Sequence, residues 1–293
     1  MKYFIGVDVG GTFIKIGVVS ERGEIVEKKK IPTPKNAGYK VIIEGIREYL
    51  GKWKILGIGV GLPGLINTEK GVVHRITNIK GWNNVPLQKL IEKAVKLPAK
   101  IDNDVNCMAF AEAIFGNAKG KKNVFGITLG TGVGGGIVID GKIYRGANFT
   151  AGEVGHVTVD KNGPKCNCGN RGCLETIAGN KRILSRAKAI GINSLEELNS
   201  AAMKGNKKAK KIWEETGECI GIVLAGVVNI LNPELISIGG GVANAGDLIM
   251  KSIRKTVKNR AISVARDSVK IEFSKLGNDA GILGAAALVL EVL

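Results

Sequence analysis

One short segment in the middle of the chain carries a histidine and three cysteines. His156 is followed by Cys166, Cys168 and Cys173, and the whole chain has 2 histidines and 5 cysteines. Four soft ligands this close together, separated by glycines that permit tight turns, are typical of a tetrahedral zinc site. The local fold is strongly constrained, because all four side chains must meet at one point.

The spacing of the cysteines favours a metal over two other interpretations, namely small buried apolar residues or a disulfide pair with one thiol left over. A site closed by four protein ligands has no open position for water, so we expect the metal to be structural. The carboxylates of Glu153 and Glu175 flank the ligands in sequence. We expect the metal to hold His156 and both glutamates in a fixed geometry that serves another purpose.

The length and composition of the chain favour two α/β domains. Its 293 residues are 44% hydrophobic and include 42 glycines. The longest apolar run, Ile220 to Ile230, is much shorter than the about 20 residues that span a membrane. No charged and then apolar leader opens the chain, so we expect a cytoplasmic protein with no membrane partner.

The net charge of +17 is the one compositional feature that could indicate a nucleic-acid partner. However, the lysines are scattered along the chain, and aromatic residues make up only 5% of it. Stacking surfaces for bases are therefore not interleaved with the basic residues. We expect a solvated, lysine-rich surface and no nucleic-acid partner.

Two glycine-rich turns repeat one strand–turn–strand pattern. The first turn, Gly10-Gly11-Thr12, follows the predicted strand Tyr3–Val9, and Asp8 lies just before it. Because glycine has no side chain, a glycine pair lets backbone N–H groups approach a phosphate closely. A nearby carboxylate can hold Mg²⁺ through water. We therefore expect a phosphate and Mg²⁺ site at this turn.

The second turn, Gly130-Thr131-Gly132, follows the predicted strand Phe125–Leu129. Together with Gly135 it satisfies the G-x-G-x-x-G pattern of dinucleotide-binding proteins. We reject that interpretation, because a predicted hairpin follows these glycines where the dinucleotide motif needs a helix. The repeat instead predicts a duplicated fold whose halves clamp a polyphosphate.

A third glycine run and one acidic segment complete the candidate site. Gly239-Gly240-Gly241 follows the predicted strand Leu235–Ile238 and leaves room for a flat ligand such as adenine, although a simple tight turn is an alternative. Asp104 stands before a predicted helix, Asn106–Phe115, where a carboxylate is often only a cap. The sequence leaves both a capping role and a catalytic role open for Asp104.

The other predicted helices are Tyr39–Trp53, Pro86–Lys96, Leu174–Ile190, Leu195–Lys204, Lys207–Leu231, Ala245–Lys258 and a last one from Asp279 to Val292.

Together these motifs resemble the ROK family (repressor, open reading frame, kinase), and within it the bacterial-type ATP-dependent glucokinases. The resemblance runs from about Tyr3 to Ala287. It is carried by Asp8-Val-Gly10-Gly11-Thr12, Asn103-Asp104, Leu129-Gly130-Thr131-Gly132-Val-Gly134-Gly135-Gly136, Glu153-Val-Gly-His156 and Cys166-x-Cys168-Gly-x-x-Gly-Cys173-x-Glu175.

The resemblance implies an α/β, two-domain actin-like ATPase (ribonuclease-H-like) fold with a structural zinc site. The expected small N-terminal α/β domain covers residues 1–115 plus the C-terminal helix 278–293. The expected large C-terminal α/β domain covers residues 116–277 and contains the zinc motif. The resemblance also implies a homodimer or homotetramer.

The activity that the resemblance implies is ATP-dependent phosphorylation of a hexose at its 6-hydroxyl, with glucose as the first candidate, in glycolysis and carbohydrate metabolism. The implied cofactors are ATP, Mg²⁺ and structural Zn²⁺, and Asp104 is the implied general base. The implied sugar-binding residues are Gly64, Thr77, Asn78, Asn103, Asp104, Glu153, His156 and Glu175. The implied nucleotide-binding residues are Asp8, Gly10, Gly11, Thr12, Lys15, Gly130, Thr131, Gly132, Gly134, Gly239, Gly240 and Gly241. The implied zinc ligands are His156, Cys166, Cys168 and Cys173.

Other functions stay open on the sequence. The chain also resembles the N-acetylmannosamine kinases of the family at Thr77, whereas Leu65 stands where those kinases carry an arginine, and N-acetylglucosamine kinase and fructokinase are further alternatives. A sugar-responsive transcriptional repressor is the rival from another class. Family repressors have an additional N-terminal helix-turn-helix, which we do not expect here because the first predicted strand begins at Tyr3. A sugar-binding protein without catalysis is a third option.

Overall fold

A computed structural model describes residues 1–36, 38–76 and 79–290 of the chain, and it is a mixed α/β structure. Its strands are β1 (Tyr3–Val9), β2 (Phe13–Ser20), β3 (Ile25–Pro32), β4 (Ile55–Leu62), β5 (Leu65–Asn67), β6 (Val72–Arg75), β7 (Asn83–Val85), β8 (Ala99–Asn103), β9 (Val124–Leu129), β10 (Val133–Ile139), β11 (Lys142–Ile143), β12 (Leu235–Gly239) and β13 (Lys270–Phe273). Its helices are α1 (Tyr39–Arg47), α2 (Leu87–Val95), α3 (Asp104–Ile114), α4 (Glu175–Ala178), α5 (Asn180–Lys188), α6 (Leu195–Met203), α7 (Lys207–Leu231), α8 (Asp247–Arg260), α9 (Ser263–Ser268) and α10 (Ala280–Leu290). No helix in these described ranges has the length and apolar character of a membrane span.

Two five-stranded sheets share one strand order. The first sheet has the order β3-β2-β1-β4-β8, and the second has the order β11-β10-β9-β12-β13. In the first, β1 pairs antiparallel with β2 and parallel with β4. In the second, β12 pairs parallel with both β9 and β13. The internal repeat predicted from the glycine turns is therefore confirmed by the strand order.

The chain divides into two compact units. Unit one contains residues 1–122, 136–151 and the chain from Ser274 onward, and unit two contains residues 123–135 and 152–273. The segment 136–151, which we expected in the large domain, packs with unit one. The domain bounds predicted from the sequence stay a prediction, because packing in the folded chain does not test which segments fold as domains.

The first sheet is covered by helices on both faces. One apolar cluster joins the sheet to α1 and α2, through residues such as Ile42, Ile46 and Leu87. A second cluster joins it to α3 and α10, through residues such as Met108 and Leu283. Strands β1 and β4 are buried on two sides, which explains their nearly continuous apolar sequences, whereas the edge strand β3 alternates between half-buried and exposed residues.

Helix α10 lies directly on the backbone of the first sheet because two strand residues have no side chain. A Cβ atom added at Gly59 of β4 would lie 1.6 Å from the carbonyl oxygen of Ala285, and one at Gly6 of β1 would lie 2.0 Å from that of Ile282. Neither distance is possible for a real methyl group. The last helix can therefore pack here only because both positions are glycine.

We expect Gly59→Ala to lower the free energy of unfolding by about 3 kcal/mol, at the upper end of the usual penalty for overpacking a core. A matched control is Gly226→Ala in α7, where an added Cβ would meet nothing within 4 Å. Replacing a glycine inside a helix removes backbone freedom from the unfolded chain, so this variant should gain up to about 1 kcal/mol. Urea unfolding followed by circular dichroism measures both. Equal stability of the two variants would contradict the close approach of α10.

In unit two, α7 packs against α8 at two further glycines. Cβ atoms added at Gly217 and Gly221 would lie 2.7 Å from Ile249 O and 2.5 Å from Thr256 Cβ, respectively. Helix α7 begins after Asn206, whose side chain accepts the backbone N–H of Ala209. The predicted bounds of this helix, Lys207–Leu231, are confirmed.

Several predicted elements differ from the observed ones. Helix α1 ends at Arg47, before a turn at Gly51 with φ +85°, and does not reach Trp53. The helix predicted over Leu174–Ile190 is interrupted at Gly179, whose backbone is extended. The helix predicted over Ala245–Lys258 is preceded by a 3-10 turn and begins as α8 at Asp247. The small sheet of β5, β6 and β7 and the helix α9 were not predicted.

Candidate functional site

The four predicted metal ligands form one cluster in unit two. Their ligand atoms all lie within 4.8 Å of one another. Cys166 Sγ is 3.6 Å from His156 Nδ1, and Cys168 Sγ is 3.6 Å from Cys173 Sγ. Ligand atoms bound to one tetrahedral zinc ion, at about 2.0 to 2.3 Å from it, lie about 3.5 to 3.8 Å apart. These two separations match those of a tetrahedral metal site, and the three cysteines are free thiols, not a disulfide pair.

Two glycines shape the loop that carries the cysteines. Gly169 and Gly172 have φ values of +101° and +61°, which only glycine adopts readily. A Cβ atom at Gly172 would lie 1.6 Å from the carbonyl oxygen of Asp160. The loop closes through a 2.8 Å hydrogen bond from Cys166 N to Asn170 O. The cluster is thus held by backbone contacts as well as by its own four side chains.

The imidazole of His156 has two different neighbours. Its Nδ1 faces Cys166 in the cluster, whereas its Nε2 is 3.9 Å from a carboxylate oxygen of Glu153. A metal on Nδ1 would leave Nε2 to bind another group, with the ring orientation already fixed. The side chain of Glu153 is 54% exposed, so its carboxylate is open to a ligand. The prediction that a metal holds this ring in a fixed orientation for another ligand stays a prediction.

Glu175 connects the metal loop to the second glycine turn. It opens α4, two residues after Cys173, and its Oε2 accepts the backbone N–H of Val133 at 3.0 Å. A Cβ atom at Gly132 would lie 2.6 Å from the same oxygen. The carboxylate therefore fixes the turn at Gly130–Gly132, a contact that the sequence did not predict.

The two glycine turns of unit two lie side by side. They follow β9 and β12, which are parallel neighbours with Gly239 opposite Thr128. Gly240 has a φ of +88°, and a Cβ atom there would lie 2.3 Å from Leu129 O. The strand β10, which contains Gly134, begins directly after the first of these turns, so the rejection of a dinucleotide fingerprint is confirmed. Thr131 lies within the same turn.

Asn180 is a residue that the sequence reading missed. Its backbone N–H donates to Gly130 O at 2.8 Å, and its side-chain amide lies 4.0 Å from the Cβ position of Gly241. Its Oδ1 is buried and accepts no hydrogen bond from the described part of the chain. Asn180 thus lies between both glycine turns. The Gly-Asn pair at 179–180 is a turn signal that could have revealed it.

The remaining predicted residues that the structure describes belong to unit one. Asp8, Gly61 and Asp102 are register neighbours at the carboxyl ends of the parallel strands β1, β4 and β8. Ligands of parallel α/β sheets bind at this edge. The elements that follow the three strands are the glycine turn of Gly10, Gly11 and Thr12, the turn that contains Gly64, and the junction of Asn103 and Asp104.

Asp8 forms an ion pair at this edge. Lys15 Nζ is 3.0 Å from Asp8 Oδ2 and 3.0 Å from Asn278 O. A Cβ atom at Gly281 of α10 would lie 2.5 Å from Asp8 Cγ, so the carboxylate packs against the first turn of that helix. Thr33 closes the glycine turn by donating its hydroxyl to Gly10 O at 2.7 Å. Asp8 and Lys15, which the resemblance names separately as nucleotide-binding residues, therefore lie together beside the turn.

The N-cap of α3 is Asn103. The Oδ1 of Asn103 accepts the backbone N–H groups of Val105 and Asn106. Asp104 is the first residue of the helix, and its own Oδ1 also accepts the N–H of Val105, at 3.0 Å. Burial raises the pKa of the nearby Cys107 thiol, and the carboxylates of Asp102 and Asp104 raise it further. That thiol stays protonated and is no candidate nucleophile.

Gly64 has a backbone conformation that few other residues could adopt. Its φ is +109°, and a Cβ atom there would lie 2.2 Å from Arg75 O. The predicted sugar-binding residues Thr77 and Asn78 lie outside the described residues.

Comparison with known proteins identifies the family. The sequence profile of the ROK family matches residues 4–292. The chain is 39% identical to a glucokinase of Halalkalibacterium halodurans, over 99% of this chain and 96% of that one. A ROK family glucokinase of Streptomyces griseus, solved with glucose and AMPPNP, is 32% identical with a TM-score of 0.83 over 98% of each chain.

A relative of another functional class has a higher TM-score than this glucokinase. A ROK family transcriptional regulator, a homologue of the E. coli MLC protein, is 30% identical with a TM-score of 0.91, over 99% of this chain and 78% of that one. Kinases and regulators thus share the fold of this chain. The sequence match over nearly all of the chain and the agreement in fold establish that it belongs to the ROK family.

Proposed function

We propose that this protein is an ATP-dependent hexose kinase that transfers a phosphoryl group to the sugar 6-hydroxyl, with glucose as its first candidate substrate. The observation that carries the proposal is the arrangement of unit one. There, Asp104 and the glycine turn at Gly10–Thr12 follow strands of one sheet at the same edge. The similarity to a glucokinase solved with glucose and AMPPNP supports it.

In the proposed reaction, Asp104 accepts the proton of the 6-hydroxyl as that oxygen attacks the γ-phosphorus. Phosphoryl transfer needs little covalent help from the protein, so positioning and charge neutralisation supply most of the rate. The backbone N–H groups of the glycine turns bind phosphate oxygens. Mg²⁺ supplies charge neutralisation when bound. The carboxylate of Asp8, which suits this hard cation, is its candidate protein ligand through water.

We propose that the sugar is bound by the carboxylates and the imidazole that the sequence singled out. The carboxylates of Glu153 and Glu175 can each accept a charge-assisted hydrogen bond from a sugar hydroxyl, and the imidazole of His156 can hydrogen-bond a further one. Asn103, Gly64, Thr77 and Asn78 are the other proposed contacts. Zinc in the cluster of His156, Cys166, Cys168 and Cys173 is structural in this proposal, because four protein ligands leave no position for substrate.

The proposal is tested by a coupled assay of ADP release over a panel of hexoses and amino sugars. We expect glucose to give the highest kcat/KM, with mannose, fructose and N-acetylhexosamines lower. A higher kcat/KM for N-acetylmannosamine would make that sugar the substrate and leave the proposed phosphoryl transfer unchanged. No ADP release with any sugar of the panel would contradict the proposal.

A sugar-responsive transcriptional repressor is the second candidate. It is favoured by the similarity to a transcriptional regulator at a TM-score of 0.91 and by the net charge of +17. A gel-shift assay on genomic fragments, with and without glucose, distinguishes it from the kinase. Sugar-dependent release of a fragment, together with no ADP release, would favour the repressor.

We also propose a homodimer or homotetramer, as the family resemblance implies. Light scattering on the purified chain measures its mass in solution. A mass equal to that of one chain, 30.9 kDa, would contradict the oligomer.

A further inference from the structure

Asp102, which the proposed mechanism does not use, is a buried carboxylate directly before Asn103 and Asp104. Its side chain is only 1% exposed. Oδ2 accepts a hydrogen bond from Arg145 Nε at 2.7 Å, and Arg145 Nη2 lies 2.6 Å from the same oxygen as an ion pair. Oδ1 accepts two more, from Asn106 Nδ2 at 2.9 Å and from Asn103 N at 2.7 Å. Both oxygens are therefore fully occupied.

A carboxylate this deeply buried is strongly destabilising unless a cation and hydrogen bonds compensate it. Arg145 is well suited to this task, because its planar, permanently charged guanidinium brings both Nε and Nη2 to Oδ2 of Asp102. Three hydrogen bonds and one further ion-pair contact thus meet at one side chain. Asp102 is thus built to hold its neighbours in place, and it has no lone pair aimed at a substrate.

The groups that Asp102 holds lie on both sides of Asp104. The N–H of Asn103 precedes it in the chain, and the side chain of Asn106 lies half a turn after it on α3. Asn103 is also the cap that starts this helix. The direction in which α3 leaves β8, and with it the direction of the Asp104 side chain, therefore depends on the hydrogen bonds of Asp102.

Arg145 connects this junction to a separate loop of unit one. Its carbonyl oxygen accepts the N–H of Ala151 at 3.0 Å and so closes the loop 145–151. The chain continues from that loop to Glu153, a proposed sugar contact. One guanidinium thus links the strand that leads to the proposed base with the segment that leads to a proposed sugar ligand.

We propose that the ion pair of Asp102 and Arg145 positions the proposed base for transfer, and this inference rests on the proposed function. Arg145 fixes the β8–α3 junction through Asp102, and it fixes the loop 145–151 through its own backbone. Asp102 and Arg145 are positioning residues and do not touch the reacting atoms.

The test compares Arg145→Met and Arg145→Lys with wild type in the coupled glucose assay, with rates expressed per folded chain. A misplacement of about 1 Å costs about 100-fold in rate. We therefore expect Arg145→Met to lower kcat by about 100-fold, with KM for ATP changed less than about threefold. Lysine keeps the charge without the planar guanidinium, so Arg145→Lys should recover about tenfold of that loss.

A double variant separates positioning from charge compensation. Arg145→Met combined with Asp102→Asn removes both charges, so its thermal midpoint should rise above that of Arg145→Met alone. Its kcat should stay low, because the loop is still untethered. Recovery of kcat to within about threefold of wild type in the double variant would overturn the proposal.

The control is Arg186→Met, which removes an arginine that pairs with Glu215 in unit two. We expect its kcat to equal that of wild type. If Arg145→Met does not fold, Arg145→Lys decides the matter, and an unchanged kcat in that variant overturns the proposal. An inactive wild type refutes the proposed function and this inference with it, whereas an active wild type with an unaffected Arg145→Met refutes the inference alone.

Discussion

Asp104→Asn is expected to lower kcat for glucose phosphorylation by about 1,000-fold, within the range that general base catalysis contributes. The amide keeps the size of the side chain but cannot accept a proton from the 6-hydroxyl. Sugar affinity should change by less than about threefold, because the lost interaction acts mainly in the transition state. Initial rates measure the first effect, and calorimetric titration with glucose measures the second.

The control for this variant is Asp247→Asn. Asp247 opens α8 as Asp104 opens α3, so both substitutions remove an acidic residue from the first turn of a helix. Any effect of the helix dipole on stability is therefore shared by the two variants. We expect Asp247→Asn to keep the wild-type kcat. An Asp104→Asn variant with more than about a tenth of the wild-type kcat would remove Asp104 as the base.

Cys168→Ser is expected to abolish stoichiometric zinc binding. A serine hydroxyl is a hard and weak ligand, and the three remaining side chains cannot close a tetrahedral site. Cys168 is exposed, so the substitution leaves no cavity. Loss of the metal frees the ring of His156, and we expect glucose affinity to fall by about tenfold, as for other losses of metal-supported orientation. Metal analysis after dialysis and calorimetric titration measure the two effects.

The matched control is Cys219→Ser. Cys219 is a half-buried free cysteine outside the cluster. Burial raises the pKa of its thiol, so it stays protonated and is a poor metal ligand. We expect this variant to keep one zinc ion per chain and the wild-type glucose affinity. Full zinc content in Cys168→Ser would contradict the ligand set.

The features that the sequence revealed depend on residues that lie close together along the chain. The metal ligands fall within one loop, and the glycine turns directly follow apolar strands, so local patterns were enough to predict both. The hairpin turn at Asp140 and Gly141 is of the same kind, because both residues have positive φ and match the twist of β10 and β11. The spacing of residues along the chain was enough to predict these turns and the metal ligands.

Other features depend on contacts that no local pattern contains. Arg145 meets Asp102 across 43 positions of sequence, and nothing around either residue indicates the pair. The interruption of the predicted helix at Gly179 depends on contacts of Asn180 with the turn at Gly130. The sequence likewise did not show that the side chains of Asn103 and Asp104 both accept the N–H of Val105 at the start of α3. In each case the contact forms only in the folded chain, so the sequence pattern could not reveal it.

The most direct test of the kinase proposal is to identify the products of the wild-type protein incubated with glucose, ATP and Mg²⁺. We expect phosphorus and proton magnetic resonance to find glucose 6-phosphate and ADP in equal amounts. ADP without a sugar phosphate, or a phosphate on another hydroxyl, would contradict the proposed transfer to the 6-hydroxyl.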